Sequence, residues 1–372
     1  MRNEPDTLRP MPGPTSLHGR RPRLLVVASA VLAAALTVGW STSYLLREPV
    51  GVTETAIARH VQTVTPQDPV PPERSDGLHL YLVPHPDDEL SGWSSLIDTP
   101  DLHPVIVVLT EGEATSRCDG DRLGRYVQAE LGEVVPDPVP SGQGSPECRQ
   151  ARLGSFRSAL QESERHAPAL VGLSDTASER IELPTGAGMI TAGEHATVVT
   201  LDLGDSSLAA GDVVAAATEL LEDRGRHLPD LPLARVTAAA YVGVEEPVAS
   251  EPPCDLPAIC PAGDRAFVYE RPDHIATHEA GRALAPLAAQ GSWLVTHPYD
   301  AAAAEHRALP QDLYDDFMAL GPGEGRESER RGTYQRIYGW LAFPDVWRVG
   351  DLPLDSGQVL FPRIQSYEVV AP

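Results

Sequence analysis

The chain has 372 residues, 42% of them apolar, with 53 acidic against 29 basic side chains for a formal charge of −24. That length suits one large domain or one domain with appendages, and so acidic a balance excludes the concentrated positive surface that nucleic-acid binding needs. Lysine is absent and asparagine stands only at Asn3, which excludes a P-loop lysine, a Schiff-base lysine and an N-glycosylation acceptor.

Residues 1–23 read as a polar cytoplasmic tail ending on Arg20, Arg21 and Arg23. Residues 24–46 carry no charge, and these 23 positions at 1.5 Å each reach across a bilayer's hydrocarbon layer. Arginines before the run and Trp40 and Tyr44 near its far end predict a single transmembrane signal anchor, with the N-terminus inside the cell membrane and the rest of the chain outside. The alternative is a cleaved signal peptide and a secreted protein. Residues 47–77, rich in Pro, Thr and charge, read as a linker to a domain spanning 78–372.

From Leu78 the pattern is α/β. The apolar runs 78–83 and 103–110 predict buried parallel strands. Residues 117–147, dense in Gly, Pro and Asp, read as an insertion. A helix is expected over 149–165, with Leu153, Phe156 and Leu160 on one face. Then come a strand over 196–203, a helix over 208–221 and a strand over 234–244. A second, Pro/Cys-rich insertion covers 246–263. A strand over 266–270, a helix over 274–288 and a last core strand over 293–298 complete the series. Alternating strands and helices predict a mostly parallel sheet with helices on both faces and a site at the carboxyl ends of the strands.

All four cysteines follow the apolar run, as an oxidising compartment would favour. The expected pairing joins sequence neighbours, Cys118 with Cys148 and Cys254 with Cys260. A Cys₄ zinc site is the alternative, but no Cys-x₂-Cys spacing supports it.

Two clusters carry chemistry. Pro84-His85-Pro86-Asp87-Asp88-Glu89 leaves the first core strand with an imidazole and adjacent carboxylates, a set that calls for a counter-charge such as a divalent metal. Arg271-Pro272-Asp273-His274 follows a later strand and opens a helix. Two histidine-bearing strand ends can converge as His85, Asp88 and His274, three ligands that leave the open position a catalytic zinc needs. His278, four residues after His274, either pairs with it or packs on the helix. Gly204-Asp205-Ser206-Ser207-Leu208 matches the nucleophile block of GDSL hydrolases, but Asp205 or Ser206 reads better as the cap of the helix starting near Leu208.

The strand followed by HPDDE, the PDH at a helix start and LTEGEAT after the second strand resemble the PIG-L/LmbE family of zinc-dependent N-acetylglucosaminyl deacetylases over about residues 78–300. The resemblance implies a Rossmann-like fold, Zn²⁺ held by His85, Asp88 and His274, Asp87 as general base, and an N-acetylated sugar or glycoconjugate as substrate. Arg152, Phe156, Ala159 and Leu160 resemble the family's helix, though Ser155 stands where a glutamate is common. Arg271 departs from the family's histidine at that position. A guanidinium cannot donate its proton at neutral pH but can stabilise an oxyanion, and Tyr269 stands where some relatives polarise the carbonyl. The competing expectation is a non-catalytic glycan-binding protein that keeps the fold.

Overall fold

The computed structural model describes residues 61–64, 75–123, 135–245, 267–269, 271–296, 303–318, 333–341, 348–349, 352–353, 361 and 363–372. All of them belong to the unit Val52–Pro372. Its strands are β1 (Val61–Thr63), β2 (Gly77–Val83), β3 (Leu102–Val108), β4 (Glu179–Leu183), β5 (Gly186–Ala192), β6 (Thr197–Leu201) and β7 (Leu233–Glu245). They continue with β8 (Phe267–Tyr269), β9 (Ser292–Thr296), β10 (Glu305–Ala308), β11 (Arg348–Val349), β12 (Leu352–Pro353) and β13 (Ile364–Val370). The helices that matter for the site are α1 (Trp93–Ile97), α2 (Pro146–Ser163), α3 (Ala210–Glu222), α4 (Pro272–Leu284), α5 (Gln311–Met318) and α6 (Thr333–Tyr338).

An 11-stranded sheet runs in the order β1-β10-β13-β9-β7-β2-β3-β6-β5-β4, with β8 paired to β7. The middle strands β9, β7, β2, β3 and β6 are mutually parallel. The flanks are not: β5 is antiparallel to β6, β4 to β5, β13 to β9 and β10 to β13. The expected mostly parallel sheet is therefore corrected to a mixed one. The hairpin β4–β5 extends it past β6 at one edge, and β13 and β10 extend it past β9, the segment taken as its last strand, at the other. Within the stretch read as linker, Val61–Thr63 pairs in parallel with β10.

The expectation of a transmembrane helix, and of the single-pass placement in a membrane that rested on it, is corrected for the described residues alone. Among the described residues no helix is long and apolar enough to cross a membrane. The longest of them, α2, has 18 residues and carries Glu147, Arg149, Arg152, Arg157 and Glu162. Residues 24–46, the insertion 246–263 and the cysteines 254 and 260 lie outside the described residues.

The central strands divide their side chains between two cores, as period-two alternation requires. Leu78, Leu80, Leu82, Val105 and Val107 pack with Val213, Ala216 and Leu220 of α3 and Ala276, Ala280 and Leu284 of α4. Tyr81, Val83, Ile106 and Val108 face the opposite layer, with Trp93, Phe156, Leu313 and Phe317. Each such Leu, Val or Phe stabilises the fold by roughly 1.5–3 kcal/mol. Gly281 brings α4 close to the sheet, since a Cβ there would lie 2.6 Å from Leu294 Cδ2 and 3.1 Å from Ala238 Cβ.

Two core histidines give the protein a predictable response to acid. His79 bonds Thr99 and Thr237 at 3.0 and 2.9 Å, and His103 bonds Thr197 at 3.0 Å. Burial, with Arg235 adding to it, holds His79 well below the ordinary imidazole value. Burial likewise brings His103 down to about 4, helped by His195. In the unfolded chain both titrate near about 6.5. As pH falls from there towards 4, the unfolded state takes up protons that the native state refuses, so stability is lost on acidification. His103 alone accounts for on the order of 3 kcal/mol across that window. Urea unfolding at pH 7 and pH 4.5 should show the loss, and His103→Gln should reduce it. An unchanged pH slope in that variant would refute the assignment.

Candidate metal centre

The order of strands reverses between β2 and β7. The chain passes from β2 to β3 and β6 on one side, then returns to β7 and β9 on the other. Such a reversal opens a crevice at the carboxyl ends of the strands. The first motif leaves β2 at this point. Residues Asp88–Gly92 form a 3₁₀ turn, and α4 brings the second motif from the other side.

His85 is the hub. Its Nδ1 lies 2.9 Å from Asp88 Oδ2, and its Nε2 lies 2.9 Å from Asp273 Oδ2 and 3.3 Å from Asp205 Oδ1. His274, buried on α4, places Nε2 3.2 Å from the same Asp88 oxygen. The two imidazoles stand 5.3 Å apart between centroids. Two groups of ligand atoms lie within 4.8 Å of one another and could hold a metal ion: His85, Asp88 and His274, and His85, Asp205 and Asp273. The first is the set expected from sequence.

The charges are strongly coupled to this arrangement. Burial opposes an imidazolium at His85, but Asp205, Asp273 and Asp88 outweigh it and hold its pKa well above the usual value. Burial also opposes the Asp88 anion, yet His274 and His85 keep that carboxyl below the ordinary range. At Asp273 burial is overcome by His85 and by the backbone N–H groups of Ser206 and Leu208, which bring the pKa down to about 2. A surplus of carboxylates around imidazoles is what a bound cation neutralises.

Asp87 is treated differently. Its backbone has φ 111° and ψ −22°, a conformation rare for a side-chain-bearing residue and worth roughly 1–3 kcal/mol of strain. Its N–H donates to Glu89 Oε2 at 2.8 Å, and Tyr338 at the end of α6 donates to Glu89 Oε1 at 2.7 Å. Both Asp87 oxygens accept from Arg152, at 3.2 Å from Nη1 and 3.0 Å from Nη2. Burial raises Asp87 to about 6, with Arg152 opposing and Asp88 adding. Burial also pushes Glu89 up to about 8, against the Tyr338 hydrogen bond.

Arg152 arrives on α2, whose start is fixed locally. Ser145 caps it by accepting from Cys148 N–H at 3.1 Å, and Pro146 opens the first turn. Cys148 forms a disulfide with Cys118 in the loop after β3, the pairing expected from sequence. Arg149 beside it pairs with Glu111, Glu113 and Asp202. Ser155 on the same helix accepts from Trp340 Nε1 at 2.9 Å and donates to the Ile337 carbonyl at 3.1 Å, so it ties α2 to the C-terminal segment.

Other expectations fare differently. Arg271 is exposed at the N-cap of α4 and takes part in none of the contacts around His85. Tyr269 pairs through its backbone with Gly243, and its side chain lies outside the described part. His278 is buried on α4 and belongs to neither metal group; burial, then Arg282, bring it down to about 4.

The helix expected to be capped by Asp205 or Ser206 starts later. Its N-cap is Ala209 and has no side-chain bond. Asp205 instead turns to His85 and accepts from Ala114 N–H, while Ser206, at φ 65°, donates its N–H to Asp273. Asp205 and Asp273 are thus site residues that motif reading did not assign. The signal for Asp205 was a Gly-Asp turn just beyond a core strand. For Asp273 it was adjacency to His274.

No protein-family model matches the sequence, and no curated protein matches it.

Proposed function

We propose that this protein is a zinc-dependent amide hydrolase that removes an N-acyl group, in the first instance acetyl, from an amino sugar or glycoconjugate. One observation carries the reading. His85, Asp88 and His274 bring their ligand atoms within 4.8 Å of one another, while Asp87 is held beside them by another partner. Two imidazoles and a carboxylate are a donor set that catalytic zinc takes, with a position left for water or substrate. The second group fits less well. Asp273 accepts two backbone N–H bonds and Asp205 accepts one, so both carboxylates are committed to the framework and to His85 Nε2. That is how metal-binding histidines are oriented.

Held by His85, Asp88 and His274, zinc supplies Lewis acidity towards an acyl carbonyl and lowers the pKa of water. Asp87 takes a proton from the attacking water and returns it to the departing amine nitrogen, as a carboxylate within hydrogen-bond reach can do. On the family resemblance alone, Arg271, through charge, and Tyr269 are proposed to meet the developing oxyanion. The sugar part of the proposal comes from the resemblance of the HPDDE and PDH segments to the PIG-L/LmbE deacetylases.

Metal analysis of the purified protein should find about one zinc per chain, and a panel of N-acetylated sugars should yield acetate from at least one member. Protein that takes up no divalent metal would sink the proposal. Zinc-loaded protein that binds the sugars but releases no acetate would replace it with a glycan-binding role.

A further inference from the structure

The turn after β2 presents two adjacent, chemically identical carboxylates to the same crevice. Nothing in their side chains decides which one meets a cation. Asp88 Oδ2 lies 2.9 Å from His85 Nδ1 and 3.2 Å from His274 Nε2, inside the ligand group. Asp87 lies outside it. We propose that Arg152 is the positioning residue that sorts these two aspartates, holding Asp87 off the metal so that Asp88 alone serves as the carboxylate ligand. The proposal rests on the metal reading above and concerns how that ligand set is chosen.

Three features of the structure support it. First, the guanidinium engages both Asp87 oxygens through Nη1 and Nη2, a fork that fixes the plane of the carboxylate as well as its position. A lysine could hold one point only.

Second, room for the fork is built into the fold. Gly112, at φ +70°, passes over the guanidinium, and a Cβ there would come 2.6 Å from Arg152 Nε and 2.7 Å from Nη2. Arg152 is buried, its Nε has no hydrogen-bond partner among the described residues, and its two terminal nitrogens both bond Asp87.

Third, both sides of the clamp are anchored. Arg152 lies one turn into α2 from Cys148, which the disulfide ties to Cys118. Asp87 is kept in its strained backbone conformation by its N–H bond to Glu89, itself held by Tyr338. Released from Arg152, an anionic Asp87 one residue from Asp88 would be drawn to the nearest cation.

Cobalt(II) in place of zinc reports ligand number and geometry through its visible bands, independently of turnover. In the cobalt-loaded full-length protein, Arg152→Met should lower the intensity of those bands and shift them relative to wild type, as a further carboxylate enters. Arg152→Lys should shift them less. The double variant Arg152→Met/Asp87→Asn should return the wild-type spectrum, because the carboxylate that moved is gone. Should Arg152→Met fail to fold, Arg152→Lys and the double variant, which removes both charges, carry the comparison. Spectra of the Arg152 variants identical to wild type would overturn the proposal, and so would a change that persists in the double variant. Wild-type protein that binds no cobalt would overturn the metal reading itself, a result distinct from either.

Discussion

Asp87→Asn is expected to keep its metal and to lose acyl hydrolysis by on the order of 10²–10⁴-fold, the usual cost of removing a general base. The substitution suits the site. Asparagine is among the residues that tolerate positive φ, so the conformation at 111° survives. One amide oxygen remains to accept one arm of Arg152, and the other arm is left short of a partner at a cost of about 1–3 kcal/mol. A modest fall in melting temperature should therefore accompany the loss of rate. Three measurements decide the matter: metal stoichiometry, thermal unfolding, and acetate release from a sugar the wild type accepts. Asp87→Asn hydrolysing that sugar at the wild-type rate would remove Asp87 from the chemistry.

His274→Ala should have the second large effect, on the metal. His274 is buried at the start of α4 and is one of the three residues proposed to hold the metal. Losing even an outer partner of a metal ligand costs about 10–100-fold in affinity, so losing the ligand itself should cost more. Metal content after dialysis should drop from about one per chain to near zero, with hydrolysis lost in parallel. His278→Ala, four residues on along the same helix, is the control and should retain its metal, because His278 belongs to neither ligand group. Full zinc in His274→Ala would show that the ligand set is wrong.

The contrast between these neighbours shows how far the sequence reaches. It determined the central strands, because a strand buried on both faces is apolar along its length: β2 and β3 are buried at every residue. It determined the helices with one apolar face, α3 among them, and it placed His85 and Asp88 just after a core strand, whereas His274 sits in the first turn of α4, behind a short strand β8 that pairs antiparallel with β7. The Cys118–Cys148 pairing also followed from sequence order. It did not yield the β4–β5 hairpin, whose residues are mostly exposed or half-buried and leave little apolar signal. Nor did it yield the antiparallel flanks, since direction of pairing is a property of connections and not of a strand's own residues.

The site's inner organisation was decided by tertiary structure alone. His85 meets Asp273 across 188 residues of chain, and Asp87 meets Arg152 across 65. Asp205 looked like a helix cap because local chemistry favours it there, yet the fold starts that helix later and gives the carboxylate to His85. Two adjacent aspartates are equivalent in a sequence. The fold makes them different: Asp88 joins His85 and His274 in a group that could hold a metal ion, while Asp87 pairs with a buried guanidinium. Local residues fix what a turn can offer; the strand order fixes which distant groups arrive to take it up.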